Sequence, residues 1–208
     1  MMHYPFLLPP LPYEDDALEP YLQEKTVRVH HGERMTAAVH TLNALLRGWN
    51  PCHLWSLRRL ASDWATLPAT IREGVGEQAE SLISHALYFE GMTRRDTVPT
   101  ELLQCALKRE FDGKDGLRCA MRQAERRIKG DGWLFLCAFS DGSLQLVPTE
   151  KNRLPQGEIL LALDLWEHAY AADYPARRDA YLSAWFDSLV DWDCASRRYE
   201  AAVSRPEA

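Results

Sequence analysis

The hydrophobic period of the chain changes at Gly130-Asp131-Gly132, and that switch limits the folds open to it. Before it, apolar residues recur at helical spacing. After it, they come in short continuous runs bounded by turn residues. Trp133 to Phe139 is the first run, Ser140-Asp141-Gly142 is a turn signal, and Leu144 to Val147 answers as the second strand of a hairpin. Ile159 to Leu163 is a third strand-like run, and from about Trp166 to Tyr199 the pattern is mostly helical, with a bend near Tyr174-Pro175. The predicted class is α+β: an N-terminal helical hairpin followed by a C-terminal α/β unit with a three-stranded antiparallel sheet.

The four prolines between residues 5 and 13 predict an extended arm. A helical pattern follows from about Asp16 to Arg47 and stops at Gly48, Asn50 and Pro51. A second runs from about Leu54 to Phe89, with a break at Leu67-Pro68. The polar stretch Thr93 to Thr100, which contains Pro99, reads as a linker. Helices are expected at Glu101–Phe111 and Lys114–Ile128, so the two units are taken as 1–95 and 96–208.

Charge and cysteine usage narrow the partners. Lys plus Arg number 24 against 30 Asp plus Glu, a net charge of −6 that argues against a nucleic-acid partner. No run approaches ~18 consecutive apolar residues, so no membrane span is expected. Cys52, Cys105, Cys119, Cys137 and Cys194 are odd in number and contain no C-x-x-C, which fits neither a disulfide framework nor a thiolate metal site. Buried, reduced thiols are expected. The N-terminus lacks the basic segment of a secretory signal, and a cytoplasmic location follows as an expectation.

The strongest chemical signal is Asp164-Leu-Trp-Glu-His168, directly after a strand-like run. A carboxylate at a strand end and a histidine four residues on can converge on one metal, and oxygen with imidazole suits iron, manganese or zinc. Alone, the spacing is a weak signal, and solvent exposure or a core hydrogen bond accounts for it more readily than a metal does. His30 and His85 are flanked by apolar residues and predicted to face inward. A lone inward histidine is ordinarily a hydrogen-bonded core residue, but two antiparallel helices can set this pair opposite each other.

The order of motifs resembles the iron/manganese superoxide dismutase family. Leu8-Pro-Pro-Leu-Pro-Tyr13 with Asp16-Ala-Leu-Glu-Pro20 resembles its N-terminal arm, and Val29-His30-His31-Gly32 its first ligand motif. Ser84-His85-Ala-Leu-Tyr88, Gly130-Asp-Gly-Trp133-Leu-Phe135-Leu136 and Leu163-Asp164-Leu-Trp-Glu-His-Ala-Tyr170 are similar to the family's later motifs. Arg177-Arg178, Tyr181 and Val190-Asp191-Trp192-Asp193 complete the match, which covers nearly the whole chain in order.

The resemblance implies one Fe or Mn ion per subunit, held by His30, His85, Asp164 and His168, with superoxide anion as substrate. It implies a homodimer in which Glu167 reaches the other subunit's last histidine ligand, so that Glu167 and His168 bridge the interface. Asn152 is the nearest equivalent of the family's solvent-bonding Gln, and Ser81 is a second hydrogen-bonding candidate. The candidate catalytic residues are therefore Asn152, Glu167, Arg34 and His31. The chain departs from the family at the substrate gate, where Arg34, Ala38 and Ala171 replace a His and two Tyr; Phe89 and Phe135 replace Trp. Spacings of four and eight residues put Arg34 and Ala38 on the face of His30. Arg34 either attracts an anion or pairs with a nearby glutamate. A dismutase is the reading favoured by four intact ligand positions. A metal-binding relative with another redox activity, or with little dismutase activity, stays open because the gate is rebuilt.

Overall fold

The computed structural model describes residues 3–204; the outermost residues of the two expected units, 1–2 and 205–208, lie outside the described residues. The arm is non-helical and is tied down at several points. Phe6 exchanges backbone hydrogen bonds with the Asn43 side chain, and the Tyr13 hydroxyl donates to the Phe89 carbonyl at 3.0 Å.

The first helix starts later than its sequence pattern. Residues 15–21 are turns, and α1 spans Glu24–Val27. Pro20 explains the difference: it lacks an N–H and biases the residue before it away from helix. A π-helical segment, Arg28–Met35, then carries the chain into α2, Thr36–Leu46. α3 (Leu57–Asp63) is capped by the Ser56 hydroxyl, which accepts from the Arg59 N–H at 3.2 Å. After a break at Leu67-Pro68, α4 spans Arg72–Glu90 and packs against α2 and α3.

α5 (Glu101–Phe111) follows the linker and ends where Asp112 enters the left-handed region. α6 (Lys114–Glu125) stops short of Ile128. Arg178 is the reason: its guanidinium donates to the carbonyls of Glu125, Ile128 and Gly130 and to the Glu125 carboxylate, capturing groups that further helix would need.

β1 (Gly132–Ala138), β2 (Leu144–Glu150) and β3 (Glu158–Asp164) form an antiparallel sheet in the order β2-β1-β3. Every residue of β1 is buried, so its sequence is continuously apolar rather than alternating. The β1–β2 turn closes as its residues predict, with the Asp141 carboxylate accepting from the Ser143 N–H and Gly142 at φ +79°. α4 and α9 (Trp192–Val203) cover β3, while α5 and α6 pack against β2. One turn of helix, α7 (Glu167–Tyr170), follows β3 closely and leads to α8 (Arg178–Ser188). Trp133 pairs with Asp164 across the sheet, so the strand register fixes the height at which that carboxylate leaves the core. No described helix is long and apolar enough to cross a membrane.

The five cysteines are free, but only three fit the expectation of burial: Cys105 and Cys119 are exposed, on faces of α5 and α6 opposite the buried Leu103, Leu107, Leu117 and Met121.

Candidate metal centre

Four side chains from four elements meet where α4, the π-helical segment and the end of β3 adjoin. His30 comes from the π-helical segment, His85 from the inner side of α4, Asp164 from the last position of β3 and His168 from α7. Asp164 Oδ2 lies 3.1 Å from His30 Nε2, 3.6 Å from His85 Nε2 and 3.4 Å from His168 Nε2. All four atoms lie within 4.8 Å of one another. His30, His85 and Asp164 are buried and His168 nearly so.

These four atoms are all buried without a hydrogen-bond partner. Four lone pairs converging in the core are costly unless something satisfies them together. A cation does this. Donors about 2.1 Å from one ion and 90–120° apart are separated by roughly 3.0–3.6 Å, the range seen around Oδ2. Three imidazoles and one carboxylate are the donor chemistry of iron or manganese, and the residues fit such an ion.

Neighbouring groups orient two of the four donors, His85 and Asp164. His85 Nδ1–H donates to the Ser81 carbonyl at 2.7 Å, which leaves Nε2 as the lone pair facing inward; the Ser81 hydroxyl sits 3.3 Å from the same nitrogen. Asp164 Oδ1 accepts from the Trp166 N–H at 2.8 Å, so only Oδ2 is free. Burial lowers the His30 pKa to about 3, against the opposing pull of Asp164. Burial also lowers that of His85, and the Arg34 charge adds to the effect. For Asp164, burial pushes upward, but the facing His168, His30 and His85 outweigh it and hold the carboxyl below its usual range. At neutral pH the site therefore presents neutral imidazoles from His30 and His85 and one carboxylate, which is a cation-binding set.

Aromatic rings form a partial shell around the donors. Trp133 meets His85 edge-on at 5.0 Å, Tyr88 and Phe89 pack on His30 at 5.4 and 5.0 Å, and Trp166 lies 5.8 Å from His168. Behind it, the Tyr88 and Tyr181 hydroxyls bond each other at 3.0 Å. The Trp133 indole N–H donates to Asn152 Oδ1 at 3.1 Å, a link that sequence spacing does not announce.

The other predicted residues fall in different places. Asn152, Arg34 and Ala38 line a cavity of about 260 Å³ that reaches His85 and His168, with Ser81 on its wall. Glu167 is exposed, and its backbone N–H donates to Asp131 Oδ1 at 3.3 Å. Its carboxylate has no partner among the described residues. It borders a larger surface cavity, about 720 Å³, together with Arg34, His168 and Ala171. His31 does not join the four donors. Its Nε2–H donates to the Pro9 carbonyl at 2.7 Å and its ring packs on Phe89, which pins the arm to the helix. The glutamate alternative for Arg34 is not observed: Glu24 is taken by Arg28, and Arg34 forms no ion pair among the described residues.

Comparison with known proteins agrees with this geometry. Residues 5–93 match the alpha-hairpin domain of iron/manganese superoxide dismutases, and residues 99–198 match their C-terminal domain. A superoxide dismutase [Mn] from Yersinia enterocolitica is 31% identical over 206 residues, covering 95% of this chain and 99% of that protein. Superoxide dismutase [Mn] 2 from Bacillus anthracis is 33% identical over 205 residues, covering 95% and 96%. With both halves of the fold matched in order and four converging donors at their junction, the chain belongs to the iron/manganese superoxide dismutase family.

Proposed function

We propose that this chain is a superoxide dismutase whose iron or manganese is held by His30, His85 and His168 through Nε2 and by Asp164 through Oδ2. The observation that carries the proposal is the set of four buried, unpartnered donor atoms within 4.8 Å of one another. Bound there, the metal would supply reversible one-electron exchange: one superoxide would give up an electron and leave as dioxygen, and the next would take up that electron and two solvent-derived protons to leave as hydrogen peroxide.

The protein's own groups do the rest. Arg34 is the one fixed positive charge on the cavity wall, and it draws the anion inward. Asn152 spends its Oδ1 on Trp133, which leaves its amide N–H groups to orient solvent in the cavity. Ser81 sets the tautomer of His85. His31 acts at one remove, by fixing the arm against Phe89. The unpaired Glu167 carboxylate is assigned to the histidine corresponding to His168 in a second copy of the chain, giving a homodimer. The division into units 1–95 and 96–208 is supported by the two family matches. A cytoplasmic location is supported by five free cysteines.

The test is superoxide decay on protein loaded separately with each metal. At least one loaded form is expected to consume superoxide far faster than the metal-free chain. Inactivity of both forms at full loading overturns the proposal.

A further inference from the structure

Arg34 stands apart from the other cations of the chain. It is exposed, lies on the segment that carries His30, and has no carboxylate partner among the described residues. With His168 it lines both the 260 Å³ cavity above the donor cluster and the 720 Å³ cavity beside it. No carboxylate lines the smaller cavity, and the Glu167 and Asp173 carboxylates that border the larger one form no ion pair with the guanidinium within the chain.

Shape and polarity are also more than a diatomic anion needs. The smaller cavity, about 260 Å³ and open to solvent, has room for several waters. One wall is trimmed to Ala37 and Ala38, while Thr41, Gln78 and Asn152 offer hydrogen-bonding groups. A guanidinium is a planar fork that pairs bidentately with a planar oxyanion, and such charge-assisted bonds are the strong ones.

We infer that the cavity binds a small carboxylate, anchored on Arg34 and seated against the wall that His85 and His168 form, where it excludes superoxide. The methyl-lined wall accepts a short alkyl group, so acetate and propionate fit beside formate. The inference rests on the proposed function only for the identity of the excluded substrate.

The experiment is calorimetric titration of manganese-loaded protein with formate, acetate and propionate at constant ionic strength, with chloride as the spherical control. The carboxylates are expected to bind at least tenfold more tightly than chloride. Arg34→Ala is expected to weaken acetate by about tenfold or more, and Arg34→Lys by less, because an ammonium keeps the charge but loses the fork. Metal content and sedimentation are measured on the same samples. Acetate affinity within twofold of wild type in Arg34→Ala overturns the inference, as does chloride binding as well as acetate. Affinity lost only together with metal or oligomeric state also overturns it, since Arg34 is then structural. An active wild-type enzyme without Arg34-dependent acetate binding sinks this inference alone. An inactive one that retains such binding sinks the dismutase reading alone.

Discussion

Asp164 divides its work between its two oxygens. Oδ1 is held by the Trp166 N–H, and Oδ2 faces the three imidazoles. His85 does the same with its two nitrogens, one on the Ser81 carbonyl and one inward. Substituting His85 by Ala is therefore expected to reduce bound iron plus manganese below about a tenth of an equivalent while the helical circular dichroism is kept. Full metal content in that variant contradicts the ligand assignment. A pH effect follows from His30. Its pKa is about 3 in the folded chain and about 6.5 unfolded. Between those values the unfolded state binds more protons, so stability must fall as pH falls through that window. The lowered Asp164 acts with the same sign at still lower pH. The urea midpoint of metal-free protein is expected to drop from pH 7 to pH 4.5, with a shallower slope in His30→Gln. Equal slopes would show that His30 is not the cause.

The elements that sequence makes legible are those with strong local punctuation. Asp112-Gly113 sets the end of α5, and Asp141-Gly142 sets the hairpin turn. β1 is legible because a strand buried on both sides is apolar throughout. The π-helical segment is not, because eight residues are too few for a slightly longer helical period to stand out from the ordinary one. Pro20 is visible in the sequence, but the apolar spacing on either side of it continues the helical pattern across it. His30, His85 and Asp164 lie far apart in the chain, so their spacing carries no information about convergence; only the order of motifs does. Gly132 joins sheet and site: its carbonyl accepts from the Leu165 N–H, and an added methyl would run into the Thr149 carbonyl. Gly132→Ala is expected to cost about 1–3 kcal/mol in urea unfolding, because a strand carbonyl cannot yield as a flexible side chain does. A change within 0.5 kcal/mol would show that the β1–β2 pairing relaxes freely.

The molecule as a whole is a junction between an α-hairpin and a sheet, and its donor cluster sits at that junction rather than within either part. This links assembly to chemistry. The N-terminal elements contribute two donors and the C-terminal elements two, so a metal ion held by all four would fasten the halves together. Glu167 extends the argument to a second copy. Glu167→Ala is expected to raise the dimer dissociation constant about tenfold or more by sedimentation, and an unchanged constant would contradict the interface assignment. The most direct measurement of the central claim is anomalous diffraction from crystals of the metal-loaded protein, collected at the metal's absorption edge. The account predicts one peak per chain, about 2.0–2.3 Å from His30 Nε2, His85 Nε2, His168 Nε2 and Asp164 Oδ2. A peak elsewhere, or full loading with no ion among these four atoms, would contradict it.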